Sequence, residues 1–373
     1  MIWRHKAIMD KFSHILKQCN HYILFCPLIL SLIGISGLIS VSRSSQTFLS
    51  REVFIQSAAL ILGIVSAFAI MMLGYRYFLN LEKIIYISSI LLLLSVYIPG
   101  LGTSFNGSRS WIDLGFTTFQ PSEPVKITFI ILMASYLARS RRSLSSAGGT
   151  AMAALYGLPF ILIVAGEDFG SGCVFCAIWI FMVFCSGLDL KMIGRFALVF
   201  ILLLPMFYFF MAGYQKDRIN AFLNPSDLDL PGNYQVWNSK VAIGSGGFFG
   251  KGYLHGTQAN LGFLPVPESD FIFSSIVEEL GFIGGAAIIA IFSLFMFHIL
   301  KTAKYAKDLQ GTLISAGLAG MFFFQAFENT AMTMGIMPVT GITLPFLSYG
   351  GSSLLSAMMG TGLLLSISTY QKI

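Results

Sequence analysis

Apolar runs of about 17–25 residues recur from one end of this chain to the other, each long enough to cross a bilayer. That pattern constrains the fold more than any other feature. No water is available at membrane depth, so each run must satisfy its own backbone groups, which helices do. A membrane barrel would show alternating strands of about ten residues, and none is visible. Charged residues make up only 11% of the chain, against roughly 25% in a soluble domain. The expectation is an all-α, polytopic integral membrane protein forming a single membrane domain over residues 1–373.

About ten spans are expected, at 22–42, 53–74, 84–100, 122–138, 150–165, 171–187, 193–213, 271–299, 312–334 and 344–369. Lys and Arg set the orientation. With the N-terminus inside, the inner segments hold Arg4, Lys6, Lys11, Lys17, Arg76, Lys83, Arg139, Arg141, Arg142, Lys191, Arg195, Lys301, Lys304, Lys307 and Lys372. The short outer segments hold Arg43, Arg51, Arg109 and Lys126. The positive-inside rule therefore places both termini in the cytoplasm and a long loop, about 214–270, outside between spans seven and eight. No small-residue cleavage site follows the first span, so it reads as a retained helix. The net charge of +6 is explained by the inner loops, and no basic domain offers itself to nucleic acid. Cys173 and Cys176 have a C-x-x-C spacing, but no second ligand pair lies nearby, so they read as small apolar helix residues.

Polar and turn-forming residues gather on the outer side, at 101–123, 166–172, 214–270 and 335–353. A working site belongs there, where loops carry function. Asp270 stands out, because it closes the long polar loop and Phe271, Ile272 and Phe273 follow it at once. A carboxylate at the lip of a membrane helix is costly toward lipid and normally faces a polar cavity. Gln120-Pro121-Ser122-Glu123 reads as a helix start, with Glu123 and Lys126 three apart on one face. Read from pattern, that is a capped helix under an interfacial Trp111. Glu167-Asp168, flanked by Gly166, Gly170 and Gly172, reads as a turn.

In the long loop, Val236–Ile243 has helical spacing, and the Gly-Ser-Gly-Gly and Gly-Lys-Gly turns resemble a phosphate cradle without a P-loop pattern. His255 has no spaced partner for a metal. Gln325, Glu328 and Asn329 share one face of the ninth span, and Pro and Gly then interrupt the pattern over 337–353. Such a break either lines a cavity or is a packing kink.

Four blocks together resemble the SEDS (shape, elongation, division and sporulation) family of polytopic peptidoglycan glycosyltransferases. They are Gly107–Lys126 with QPSE, Asp168–Gly170, Tyr214–Asp270 running into FIFSSIVEELG, and Asn329–Ser353 with PVTGITLPFLSYGGSS. The run GKGYLHGTQANLGFLP is similar to the RodA-like, elongation branch.

The resemblance implies a polymerase of lipid II at the outer face of the bacterial cytoplasmic (inner) membrane. Lipid II and a polyprenyl-diphosphate glycan would be its substrates, and a class B penicillin-binding protein its partner. Asp270 falls on the family's catalytic aspartate and would act as general base. The binding positions it implies are Arg109, Glu123, Lys126, Asp168, Lys240 and Ser348. Arg109, Lys126 and Lys240 are the candidate cations for the leaving diphosphate, with a divalent cation such as Mg or Mn as an addition.

The chain departs from the family at Val266, Pro267, Glu268 and Ser269, where Pro-Glu and a His-Thr pair are usual. It departs again at Gly166-Glu167, Pro124 and Asn238. Two other classes fit the broad pattern. A lipid II flippase would also have many spans and broken helices. A non-catalytic membrane scaffold for a transpeptidase would not depend on Asp270.

Overall fold

The computed structural model describes residues 19–42, 50–105, 108–115, 117–141, 147–187, 194 and 213–369. Helix dominates. The first helices are α1 (His21–Ser42), α2 (Arg51–Leu73), the short α3 (Tyr75–Asn80) and α4 (Glu82–Leu94), which ends in a 3-10 turn over Ser95–Tyr97. Then come α5 (Ser122–Arg139), α6 (Ala147–Glu167) and α7 (Phe169–Cys185). The outer loop contributes α8 (Gly213–Leu223), α9 (Asn233–Gly246) and the single turn α10 (Thr257–Asn260). The chain closes with α11 (Ile272–Tyr305), α12 (Leu309–Thr333) and α13 (Gly351–Thr369).

Six of the described helices (α1, α2, α6, α11, α12 and α13) are long and apolar enough to cross a membrane, and α7 is a shorter apolar helix. The expected span at 193–213 lies outside the described residues apart from Gly194 and Gly213. So do residues 142–146 of the linker at 139–149 and the basic residues Arg4, Lys6, Lys11, Lys17, Arg43, Arg142, Lys191, Arg195 and Lys372.

Three expectations change. The segment after α4 is not a set of bare turns. It folds into a small antiparallel sheet in the order β1 (Gly102–Phe105), β2 (Ser108–Asp113), β3 (Thr118–Phe119). Alternation over so few residues, interrupted by glycines, left no periodic signal to read. The expected span at 344–369 is helical only from Gly351, because Pro345 and a left-handed Phe346 (φ +68°) keep 344–350 irregular. The expected span at 271–299 is bent, since Gly281 adopts φ +68° and ψ −166° within α11.

That bend closes onto the outer loop. The N–H groups of Lys251 and Gly252 each donate at 3.0 Å, to the carbonyls of Glu278 and Glu279 respectively. Phe282 N–H in turn donates to the Gly247 carbonyl at 2.9 Å. A Cβ on Gly250 would stand 2.0 Å from the Glu279 carbonyl oxygen, so only glycine fits. The glycine turns are therefore a helix-to-loop seam, and the Lys251 and Gly252 N–H groups offered to phosphate are already spent. Lys251 is spent as well, with its Nζ 2.6 Å from Glu278 Oε1.

The core centres on α12, α13 and α5. Small residues let them approach their neighbours closely. Gly362 of α13 sits against the Ala67 backbone of α2, where a Cβ would come within 2.6 Å of the carbonyl oxygen. Large apolar side chains such as Phe54, Ile61, Leu62 and Val65 are exposed on α2, as a lipid-facing surface requires.

Candidate active site

Asp270 sits in the turn immediately before α11, half-buried, with its carboxyl on the wall of a cavity of about 650 Å³. α8 contributes Asp217, Arg218 and Phe222 to that cavity, and α9 contributes Trp237 and Lys240. Val266 and the Gly335–Val339 turn complete it. The helical spacing read at Val236–Ile243 is real, and it turns Val236, Trp237 and Lys240 toward one space. Lys240 Nζ lies 5.8 Å from the Trp237 ring centroid, within cation–π range.

The Pro/Gly-interrupted segment after α12 fixes Asp270 from behind. Ser348 Oγ donates to the Ser269 carbonyl at 2.6 Å and accepts from Leu344 N–H at 2.9 Å. Tyr349 N–H donates to the Glu268 carbonyl at 2.9 Å. Asn329 Nδ2 donates to the Asp270 carbonyl at 3.2 Å and to the Ile342 carbonyl at 2.8 Å. Gly341 has φ +78°, and a Cβ on it would lie 3.6 Å from Asp270 Oδ2. The broken segment is thus both cavity wall and clamp.

Five influences act on the Asp270 carboxyl. Burial, the largest, raises its pKa above the ordinary carboxylate value. The Ser269 hydroxyl, donating at 2.8 Å, and the Arg218 charge oppose that rise. Glu268 and Asp168 add to it. Arg218 is the cation that sequence reasoning missed, because a charge in a long loop carries no weight in orientation. Its Nη1 donates to the Thr340 carbonyl at 2.8 Å. Gln56 was also missed. Its Nε2 donates to the Ser348 carbonyl at 2.9 Å, and its Oε1 accepts from Gly350 N–H at 3.1 Å. A single buried amide in an otherwise apolar α2 was the available signal.

The other expected site residues form a neighbouring patch. Asp168 caps α7, accepting from Ser171 N–H at 3.3 Å and Ser171 Oγ at 2.6 Å, and Gln120 Nε2 reaches it at 3.3 Å. Arg109, on β2, donates its N–H to Glu167 at 3.2 Å and its Nη2 to the Ile98 carbonyl at 3.4 Å. Glu123 and Lys126 form a 2.8 Å ion pair in the core, with side chains 7% and 2% exposed. Of the six expected binding residues, Lys240 lines the cavity and Ser348 acts one residue behind Asp270. The two patches meet at the Thr340–Ile342 turn, where a Cβ on Gly170 would come within 3.1 Å of both Thr340 and Ile342. The cysteines of the C-x-x-C spacing are free thiols on α7. Among the described residues, no group of three or more His, Cys, Asp or Glu side chains could hold a metal ion.

A bundle of membrane helices with two acids and two cations around one cavity defines a polytopic membrane protein that works at the end of its helices. Comparison with known proteins gives the family. The profile of the FtsW, RodA and SpoVE cell cycle proteins matches residues 18–373, and the chain belongs to that family. Stage V sporulation protein E of Bacillus subtilis is 36% identical over 83% of this chain and 85% of its own length. Peptidoglycan glycosyltransferase MrdB of Escherichia coli is 35% identical over 92% of each. A chain from a solved peptidoglycan synthase complex superposes with a TM-score of 0.79 at 28% identity, covering 95% of this chain and 99% of that one. Proteins named RodA are also among the matches, by sequence and by structure, and the RodA-like branch fits.

Proposed function

We propose that this protein is a peptidoglycan glycosyltransferase that polymerises lipid II at the outer face of the bacterial cytoplasmic membrane, serving cell-wall elongation and cell shape. The observation that carries the reading is the shared cavity, in which Asp270 and the cations Arg218 and Lys240 line one space at the lip of α11. An acid to take a proton and cations to receive a diphosphate are what glycosyl transfer from a polyprenyl diphosphate needs. MrdB and other relatives carry the name peptidoglycan glycosyltransferase.

In the proposed step the growing glycan, on its polyprenyl diphosphate, is the donor. Asp270 Oδ removes the proton from the acceptor 4-hydroxyl of lipid II as that oxygen attacks the anomeric carbon. The bond from the anomeric carbon to the phosphate oxygen breaks, and the electron pair leaves with the diphosphate. Arg218 and Lys240 stabilise the charge that develops there. Attack opposite the leaving group inverts α to β. A divalent cation carried on the diphosphate would add to that stabilisation. Polymerisation with and without a chelator tests that point.

The apolar runs support about ten spans, and the positive-inside reading supports cytoplasmic termini and an outward cavity. A class B penicillin-binding protein is the proposed partner, in keeping with the synthase complex that this fold matches. The deciding experiment is Asp270→Asn in purified protein with lipid II. The expected result is loss of glycan polymer with the protein still folded, and polymer at the wild-type rate would refute the assignment.

A further inference from the structure

One buried carboxyl beside the cavity has no part in the step above. Glu328 lies on α12 with no exposed surface, among apolar helices. Its Oε1 accepts from Thr340 Oγ1, and its Oε2 has no hydrogen-bond partner. It belongs to none of the ion pairs among the described residues. A carboxyl buried there, with one donor and no ion pair among the described residues, is costly to keep unless it holds something in place.

Thr340 makes Glu328 relevant to the chemistry. Its hydroxyl is held by Glu328, its carbonyl accepts Arg218 Nη1 at 2.8 Å, and the next residue, Gly341, abuts Asp270 Oδ2. Asn329, the next residue along α12, holds the Asp270 carbonyl. One helical turn therefore fixes the acid by its backbone and the cation through Thr340.

We propose that Glu328 is a positioning residue for glycosyl transfer: its carboxyl oxygen fixes Thr340, and through Thr340 it holds Arg218 and Gly341 against Asp270. The inference rests on the reading of Asp270 as the base.

The charged and titratable groups that act on Glu328 come from several elements. Asp270 stands at the foot of α11, Arg218 on α8, and Asp168 and Cys173 at the start of α7. On the remaining neighbours, α5 pairs Glu123 with Lys126, α11 ties Glu278 to Lys251 and Glu279 to Ser40, and α9 turns Lys240 into the cavity. α13 carries no ionisable residue.

The test is lipid II polymerisation by the purified full-length protein, for wild type, Glu328→Gln, Glu328→Leu, Thr340→Val and Asp270→Asn. Glu328→Leu and Thr340→Val each lower kcat roughly tenfold with KM little changed, as expected for a misplaced catalytic group. Glu328→Gln keeps an acceptor for the Thr340 hydroxyl and recovers kcat to within about twofold of the wild type. A wild-type rate in Glu328→Leu overturns the proposal. So does a folded Glu328→Gln as slow as Thr340→Val, which decides the matter even if the leucine variant does not fold. Activity in Asp270→Asn refutes the parent reading instead.

Discussion

Ser348 donates its hydroxyl to the carbonyl of Ser269, one residue before Asp270 and 79 positions away in the sequence. That bond joins the end of the outer loop to the irregular segment ahead of α13. Ser348→Ala removes it and also strips Leu344 N–H of its acceptor. Polymerisation should fall on the order of tenfold as Asp270 loses its register, while the melting temperature drops by the equivalent of about 1–3 kcal/mol for a buried polar group left unpaired. A variant with unchanged kcat would show that Ser348 does not position the base.

Arg218 should be visible in the pH profile. Burial raises the Asp270 pKa and Arg218 counters the rise. The base works only when ionised, so activity is present above that pKa and is lost as pH falls through it. Arg218→Met removes the opposing charge, moves the acid limb to higher pH, and lowers kcat by roughly a hundredfold through the leaving group. An acid limb that stays in place would remove Arg218 from the electrostatics of Asp270.

Glu123 and Lys126 are best separated by a double-mutant cycle. Their ion pair is buried and 2.8 Å long, and removing one partner strands a charge at a cost of roughly 3–5 kcal/mol. Glu123→Gln and Lys126→Met should each destabilise strongly, and the double variant should recover most of the loss. Thermal unfolding in detergent measures this. Activity regained by the double variant would assign the pair to the scaffold, and a stable but inactive one would assign it to substrate.

Val266 lines the cavity with φ +51°, a left-handed conformation that a β-branched side chain adopts only under strain. The side chain is substantially exposed, so little burial is lost on shortening it. Val266→Gly should stabilise the protein by about 1 kcal/mol. A lower melting temperature would mean that the Val266 methyl groups hold the 264–270 turn in place.

Much of this was legible beforehand, and the limits have physical causes. Asp270 could be picked out because a carboxylate followed at once by an apolar run has few places to go. Val236–Ile243 betrayed its helix through periodicity. Glu123 sits in the first turn of α5, as its Pro-preceded position suggested. Arg218 and Gln56 were not legible, since their roles come from contacts with segments more than a hundred positions away. The glycine turns after α9 misled because a free N–H and one already committed to a distant carbonyl look alike in sequence. Gly281 gave no sign of a bend, since glycine is common in membrane helices.

The bend at Gly281 has a mechanical consequence. The Glu278 and Glu279 carbonyls, released from the helix ladder, are capped by the loop's own N–H groups. Lifting residues 247–252 away would leave both carbonyls without partners, a cost wherever water is excluded. That segment and the first turns of α11 are therefore mechanically coupled, and one cannot shift without the other.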